Sequence, residues 1–300
     1  VTSSQDVGVG SGPDVWLDQT PLLDWFEHNG RHLPWRETRD PWSVMVAELM
    51  LQQTQVGRVV ERWPQFLDRF PTVTACALAT TGGVIDAWSG LGYNRRAVAL
   101  HRSAQQMVDR HAAQVPTALD DLLALPGIGP YTARAVRVFA HELDDGVVDT
   151  NVARILARVV GRSLKPAEVQ RLASEAVPTD DGWRWNQALL DVGAAHCRAR
   201  TPRCGGCPFT TRCRWYASGS IEPDPAVGSA RVSSTQSRFE GSDRQGRGRL
   251  VAALCHGSVG EEDLAAVMGW PGDPVRARRI AASLVDDGLA RIQGSRWMLP

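Results

Sequence analysis

Glu48 stands alone as a carboxylate in the run VMVAELML, Val44–Leu51. A charge in such surroundings is costly unless it is paired or used. Burial favours the protonated form of a carboxyl, and that is the form a general acid needs near neutral pH. A buried ion pair with an arginine is the other reading. Asp149 lies in VVDTN, Val147–Asn151, just ahead of a helical pattern. Aspartate there serves either as an N-cap or as an anion held by the helix N-terminus and its N–H groups.

Cys197, Cys204, Cys207 and Cys213 have the spacing C-x6-C-x2-C-x5-C. Four thiolates in one short loop can enclose a metal centre. Structural zinc usually uses two short cysteine pairs set well apart. The compact, unequal spacing fits a cubane iron–sulfur cluster better, with zinc as the rival and four unligated cysteines as the bland alternative. Cys76 and Cys255 are isolated and read as small apolar residues. Arg198, Arg200, Arg203, Arg212 and Arg214 fall in the same segment, which has no acidic residue between Cys197 and Tyr216. They make either a phosphate-facing patch or a solvated loop.

The elements that must position these groups are helical. Apolar residues recur at helical spacing in Val44–Leu51, Val59–Phe70, Ala97–Val108, Thr132–Ala140, Val152–Val160 and Trp185–Ala195, so residues 14–218 are expected to be all-α. Leu125–Ala133 reads LPGIGPYTA. Gly127 and Gly129 give a tight turn before a helix, whose first N–H groups suit an anion such as a DNA phosphate. With a helix ahead of it, the segment looks like a helix-hairpin-helix element.

Residues 1–13 are small and polar and are expected to be disordered. Residues 219–243 are rich in Gly, Ser and Pro and read as a linker. Residues 244–300 suggest helices over Gly246–His256, Glu261–Met268 and Asp273–Asp287, then a hairpin over Ala290–Leu299 turning at Gly294. That is the order of a winged-helix module, a small C-terminal domain.

Basic and acidic residues balance at 33 each, so any basic face is local. Lys165 is the only lysine, which leaves one candidate for lysine nucleophile chemistry. The sequence contains no apolar run long enough for a membrane span and no signal-peptide pattern at its start; a cytoplasmic protein is expected.

In their order along the chain, the hairpin, an Asp some twenty residues on and the cysteine loop resemble the endonuclease III superfamily of DNA glycosylases. Four stretches look like the MutY-type adenine glycosylases within it. They are PWR at Pro34–Arg36, AELMLQQTQV at Ala47–Val56, GLGY at Gly90–Tyr93 and WNQALLDVGA at Trp185–Ala194. The resemblance spans roughly residues 14–216. It implies a two-lobed fold, with a six-helix lobe at about 38–147 and a cluster lobe of 14–37 plus 148–218. It also implies a 4Fe-4S cluster on Cys197, Cys204, Cys207 and Cys213, and double-stranded DNA carrying adenine opposite 8-oxoguanine or guanine as the partner of a monomer.

Residue by residue, the resemblance makes Glu48 the acid that protonates adenine N7 and Asp149 the anion that stabilises an oxocarbenium-like sugar. Asn151 orients sugar or water, or simply caps. Gln52, Gln53 and Thr54 match positions that fill the vacated stack and contact the opposite base. Leu91 and Tyr93 match the wedge beside the damaged guanine. Trp35, Arg36 and Gln187 match the adenine pocket; core packing is the alternative for Trp35, Leu91 and Tyr93. Bifunctional relatives carry a Schiff-base lysine where this chain has Tyr131, so a monofunctional enzyme is expected. The Tyr131 hydroxyl is either a catalytic contact or part of a core aromatic. Thr150 stands where the family usually has Gly, and Asn94 where it often has a second aromatic.

Rival readings are an endonuclease III-type glycosylase for oxidised pyrimidines and a non-catalytic lesion-binding protein. Many MutY-type enzymes also carry a β-rich, MutT-like domain that reads 8-oxoguanine; residues 244–300 are too few and too helical for that. Arg276, Arg278 and Arg279 on the third helix of the winged-helix-like module are expected to supply DNA contacts in its place.

Overall fold

The computed structural model describes residues 18–229 and 238–300; the expected disordered start, residues 1–13, and part of the expected linker lie outside them. Among the described residues the helices in chain order begin with α1 (Thr20–Asn29), α2 (Pro41–Leu51), α3 (Val56–Arg69), α4 (Val73–Ala77) and α5 (Thr81–Ala87). There follow α6 (Arg95–Arg110), α7 (Leu119–Leu123), α8 (Pro130–Phe139), α9 (Thr150–Val160), α10 (Pro166–Glu175) and α11 (Gly182–Ala195). The last are α12 (Arg214–Ala217), α13 (Asp243–His256), α14 (Leu264–Met268) and α15 (Pro274–Asp286). The strands are β1 (Val259–Gly260), β2 (Arg291–Gln293) and β3 (Arg296–Met298).

Two compact units emerge. Among the described residues, one comprises 18–32 and 137–229; the other comprises 33–136 and 238–300. Their borders differ from the expected lobes. Residues 33–37 join the six-helix unit because Leu33 and Trp35 sink into its apolar core.

In that second unit, α2 is apolar on every side: Trp42 and Val44–Met50 are all buried. A helix of that kind belongs in a core. Pro41 opens it, and the Asp40 carboxylate accepts from Ser43 N at 2.8 Å and Ser43 Oγ at 2.6 Å, a capped start. Between α7 and α8 the chain makes the expected hairpin turn. Gly127 has φ +76°, and a Cβ there would lie 2.7 Å from that of Ala99. Only glycine meets both demands.

Residues 244–300 do form helices and a hairpin turning at Gly294, φ +61°. The sheet gains a third strand, in the order β1-β3-β2, with Trp297 of β3 facing Val259 and Ile292. The segment is not set apart from the helical lobe, however. Leu250, Leu254, Met268, Ile280, Leu284 and Trp297 share one apolar cluster with Met45, Trp88 and Leu100. Gly82 N donates to the Pro300 carbonyl at 3.1 Å, and Arg95 pairs with Asp287 at 2.5 Å.

The cluster unit is built on α9, which is capped at both ends: Asp149 precedes it and Gly161, φ +80°, follows it. Its core gathers Leu22, Val152, Ile155, Leu156, Trp185, Leu189 and Phe209. The expected linker is in fact partly a packed strap. Asp224, 8% exposed, forms a 2.5 Å ion pair with Arg158, 2% exposed, and Ala226 is buried as well.

Candidate active site and metal centre

Glu48 lies on α2 and is 4% exposed. The end of that helix is held by a residue the sequence motifs did not single out. Arg96, on α6 and 8% exposed, donates from Nη1 to the carbonyls of Leu49 at 2.9 Å, Met50 at 2.8 Å and Gln52. From Nη2 it reaches Thr54 Oγ1 at 2.9 Å, Gly92 O at 2.8 Å and Leu91 O at 3.3 Å. The guanidinium also sits 5.3 Å from the Trp88 ring and 5.7 Å from that of Tyr93. Unfilled carbonyls at the end of a helix attract a cation. Here one cation ties the end of α2, the 52–54 turn and the 90–93 loop together. Desolvation holds its pKa down at about 10, still high enough to keep it charged at neutral pH.

The two bound segments carry the motif residues. Gln53 is exposed with φ +55°, and Gln52 Nε2 donates to Thr132 Oγ1 at 3.0 Å. In the other loop Gly90, Gly92 and Tyr93 all have positive φ. Tyr93 is on the surface, 42% exposed. Leu91 is not: at 2% exposed it is part of the apolar core, so the core reading applies to it. Trp35 and Arg36, at 6% and 8% exposed, are buried in the same unit, with Trp35 edge-on to Trp63. Tyr131, at the start of α8 just past Gly129, is half-buried.

The other unit holds Asp149, Asn151, Gln187 and the cysteines. Asp149 Oδ1 accepts from the N–H groups of Asn151 and Val152, both at 2.8 Å, and Oδ2 accepts from Asn151 Nδ2 at 2.8 Å. It is therefore an N-cap and a constrained carboxylate at once. Burial raises its pKa above the ordinary carboxylate value, and the hydrogen bonds from Val152 and Asn151 oppose that rise. The helix N-terminus favours the anion as the sequence suggested, but desolvation is the larger influence. Asn151 Oδ1 in turn accepts from Arg154 Nη2 at 2.6 Å, and Arg154 Nε donates to the Cys197 carbonyl at 2.5 Å. Gln187, on α11, is 4% exposed.

All four clustered cysteines line one recess, together with Ile155, Arg158, Val159 and Phe209. Arg158 Nη1 donates to Cys197 Sγ at 3.4 Å, and Thr210 Oγ1 donates to the carbonyls of Cys204 and Cys207 at 2.6 and 2.7 Å. Burial pushes the Cys207 thiol up to about 12, and burial followed by the neighbouring cysteines raises Cys204 and Cys213. Thiols packed this way ionise only if a multivalent cation offsets their mutual repulsion. Among the described residues no three His, Cys, Asp or Glu converge tightly enough for a single ion. The donor set at the recess is four cysteine sulfurs, the chemistry of a thiolate-bound metal centre. Around it Arg200, Arg203 and Arg214 are exposed, while Arg212 pairs with Asp18 at 2.6 Å.

The arginines expected to contact DNA from α15 are differently engaged. Arg276 pairs with Asp243 at 2.6 Å and stacks 3.9 Å from the Trp270 ring; Arg279 reaches the same aspartate at 3.4 Å, and Arg278 pairs with Glu261 at 2.7 Å. Their charge is compensated within the module, so α15 presents less positive potential than its sequence implied.

Residues 46–179 match the HhH-GPD superfamily of base excision DNA repair proteins. An adenine DNA glycosylase of Mycolicibacterium smegmatis is 40% identical over 278 residues, covering 91% of this chain and 92% of its own. That of Mycobacterium tuberculosis is 38% identical over 294 residues, covering 95% and 94%. Spans of this size include part of residues 235–300. The structure of a thermostable thymine-DNA glycosylase superposes with a TM-score of 0.62 at 26% identity, over 66% of this chain and 94% of its own. An endonuclease III–DNA covalent intermediate gives 0.60 at 21% identity over 67% and 95%, a likeness of fold. No helix among the described residues is long and apolar enough to cross a membrane.

Arg96→Lys keeps a charge but loses the planar fork. The variant is expected to lose about 3 kcal/mol of stability in thermal melts, since several buried carbonyls lose their donor. Amides of residues 52–54 and 90–93 should exchange hydrogen faster; unchanged protection there would show that the tie is not made by Arg96.

Proposed function

The chain belongs to the adenine DNA glycosylases of the HhH-GPD superfamily, and on that premise we propose that it hydrolyses the N-glycosidic bond of adenine mispaired with 8-oxoguanine or guanine in duplex DNA. It acts as a monomer and leaves the strand uncut. The observation that carries this reading is a single carboxyl, Glu48, buried on an all-apolar helix whose end is anchored to the 52–54 and 90–93 segments.

Adenine leaves the base stack before the chemistry. Glu48, kept among Met45, Ala47, Leu49 and Met50, delivers its proton to adenine N7 and makes the base a better leaving group. Asp149 provides the negative charge that balances the developing oxocarbenium ion. Its fixed contacts to Asn151 and Val152 mean that little reorganisation is needed when that charge develops. Trp35, Arg36 and Gln187 bind the extruded adenine. Gln52, Gln53 and Thr54 occupy the vacated stack, and Tyr93 alone serves as the wedge. Gly127 and Gly129 bring backbone N–H groups to a phosphate. Tyr131 replaces the lysine that a lyase would need, and Lys165, on an exposed turn before α10, does not substitute for it.

Cys197, Cys204, Cys207 and Cys213 hold a 4Fe-4S cluster. When bound, it supplies the positive charge that keeps four thiolates together and orders the arginine-bearing loop.

Outcomes of three kinds test this reading, the first of them catalytic. Duplexes with adenine opposite 8-oxoguanine or guanine should release free adenine without strand cleavage, while an oxidised-pyrimidine duplex is left intact. Glu48→Gln should lose at least about a thousandfold in single-turnover rate while still binding DNA; a near-native rate would remove Glu48 as the acid. Second, the purified protein should carry iron and inorganic sulfide, and stoichiometric zinc would overturn the cluster assignment. Third, the excision rate should fall on the acid side as Asp149 takes up a proton. The Asn151 amide stabilises the anion, so Asn151→Ala makes protonation easier and moves that acid limb to higher pH. A limb at the same pH in both proteins would detach Asn151 from Asp149 ionisation.

A further inference from the structure

The 90–93 loop does not stand alone. Arg244, in the first turn of α13, places Nη1 3.2 Å from the Tyr93 hydroxyl and donates to it. The same guanidinium lies 5.8 Å from the ring of Phe239, which is 58% exposed. Two exposed aromatics therefore flank one arginine on the surface of the unit. Exposed aromatic rings and guanidinium planes are recurrent means of gripping unstacked bases.

The placement of Arg244 is backed by packing. The Asp287 carboxylate accepts from both Arg95, next to the Tyr93 loop, and Arg247, one turn along α13 from Arg244. Arg247 also bonds Ser283. Below the ring of Tyr93 lies the buried Arg96. The C-terminal module thus delivers a guanidinium to the tip of the loop, while its α15 arginines are neutralised internally.

Oxidised guanine differs from guanine by a carbonyl oxygen at C8 and a hydrogen on N7. Guanine offers acceptors at O6 and N7; oxidised guanine loses the N7 acceptor and gains O8, so a guanidinium N–H held at the C8 edge finds its acceptor only in the oxidised base. We propose that Arg244, seated on the Tyr93 hydroxyl, is a specificity-determining residue that donates to the oxidised guanine opposite the excised adenine. This rests on the adenine glycosylase reading and extends it to residues 244–300. Tyr93 wedges beside the opposite base; Arg244, steered by the phenol oxygen, supplies the donor that separates 8-oxoguanine from guanine.

The test compares single-turnover release of adenine opposite 8-oxoguanine and opposite guanine for the full chain and for Arg244→Ala, Arg244→Lys and Tyr93→Phe. The 8-oxoguanine over guanine rate ratio should fall about tenfold in Arg244→Ala, the scale of one good directed hydrogen-bonded contact. Arg244→Lys keeps a charge but not the rigid pair of N–H groups that reaches the Tyr93 hydroxyl and the base together, and should recover only part of the ratio. Tyr93→Phe keeps the ring, loses the seat for Arg244, and should lower the ratio severalfold. An unchanged ratio in Arg244→Ala, equal slowing on both duplexes, or full recovery of the ratio by Arg244→Lys would overturn the proposal; equal slowing points to a phosphate contact, and recovery by lysine to charge alone. If the unmodified chain releases adenine from neither duplex, the glycosylase reading fails as well, a result distinct from an active enzyme with an unchanged ratio.

Discussion

Burying a guanidinium costs several kcal/mol unless its N–H groups find oxygen. Arg96 finds it in the carbonyls at the end of α2, in the Thr54 hydroxyl and in the carbonyls of the 90–93 loop. The contacts to the end of α2 fill carbonyls that a helix end leaves open, while Gly92 O also accepts from Trp88 Nε1 at 3.3 Å and Leu91 O from Thr54 Oγ1 at 3.2 Å. The arrangement is mutual. The loop keeps its left-handed turns because Arg96 takes its carbonyls, and Arg96 stays buried because the loop and helix end supply them. Glu48, one turn before the α2 terminus, inherits a fixed position from this network. So does Tyr93, whose ring covers the guanidinium from outside.

The cluster unit solves a related problem with two buried arginines on one helix. Arg154 links the Asp149–Asn151 pair to the Cys197 carbonyl. Arg158, one turn later, bonds the Cys197 sulfur and the Arg198 carbonyl and is neutralised by Asp224. Burial still raises Cys204, with Arg158 working against that rise, and Arg154 and Asn151 likewise oppose the desolvation that raises Asp149. One helix thus serves the carboxylate at its start and the sulfur ligands beside its middle.

How much of this the sequence disclosed depends on the range of each interaction. The six expected helices over residues 44–195 formed because their signal is periodic and local, and the hairpin formed because Gly127 is required by both φ and space. Glu48 was conspicuous because a carboxylate in an apolar run has few bland explanations. Arg96 carried no such mark: it is one arginine among many, in RRAVAL, and only the distant carbonyls make it special. Leu91 read as part of a wedge since it belongs to the GLGY stretch, yet the loop turns it inward. Residues 219–229 read as linker from their Gly, Ser and Pro content, while Asp224 finds Arg158 across 66 positions of sequence. The separateness of residues 244–300 was inferred from that same linker. Their apolar faces, though, match those of α5 and α6, and complementarity between distant segments leaves no local pattern.

Charge balance gives a further constraint on what the surface can do. With equal numbers of acidic and basic residues, an arginine is available to an anionic ligand according to what else it touches. Asp243, Asp287 and Glu261 occupy Arg276, Arg279, Arg247 and Arg278 of the C-terminal segment and Arg95 of α6. Those pairs are partly exposed and add little stability each. Their stronger effect is on the field: they remove positive potential from α15, where a winged-helix reader would need it. The segment therefore contributes by shape and by placement, closing the apolar face of α5 and α6 and carrying Arg244 to Tyr93. Overall neutrality and a local grip on an anionic polymer are compatible because the acids are spent where contact is not needed.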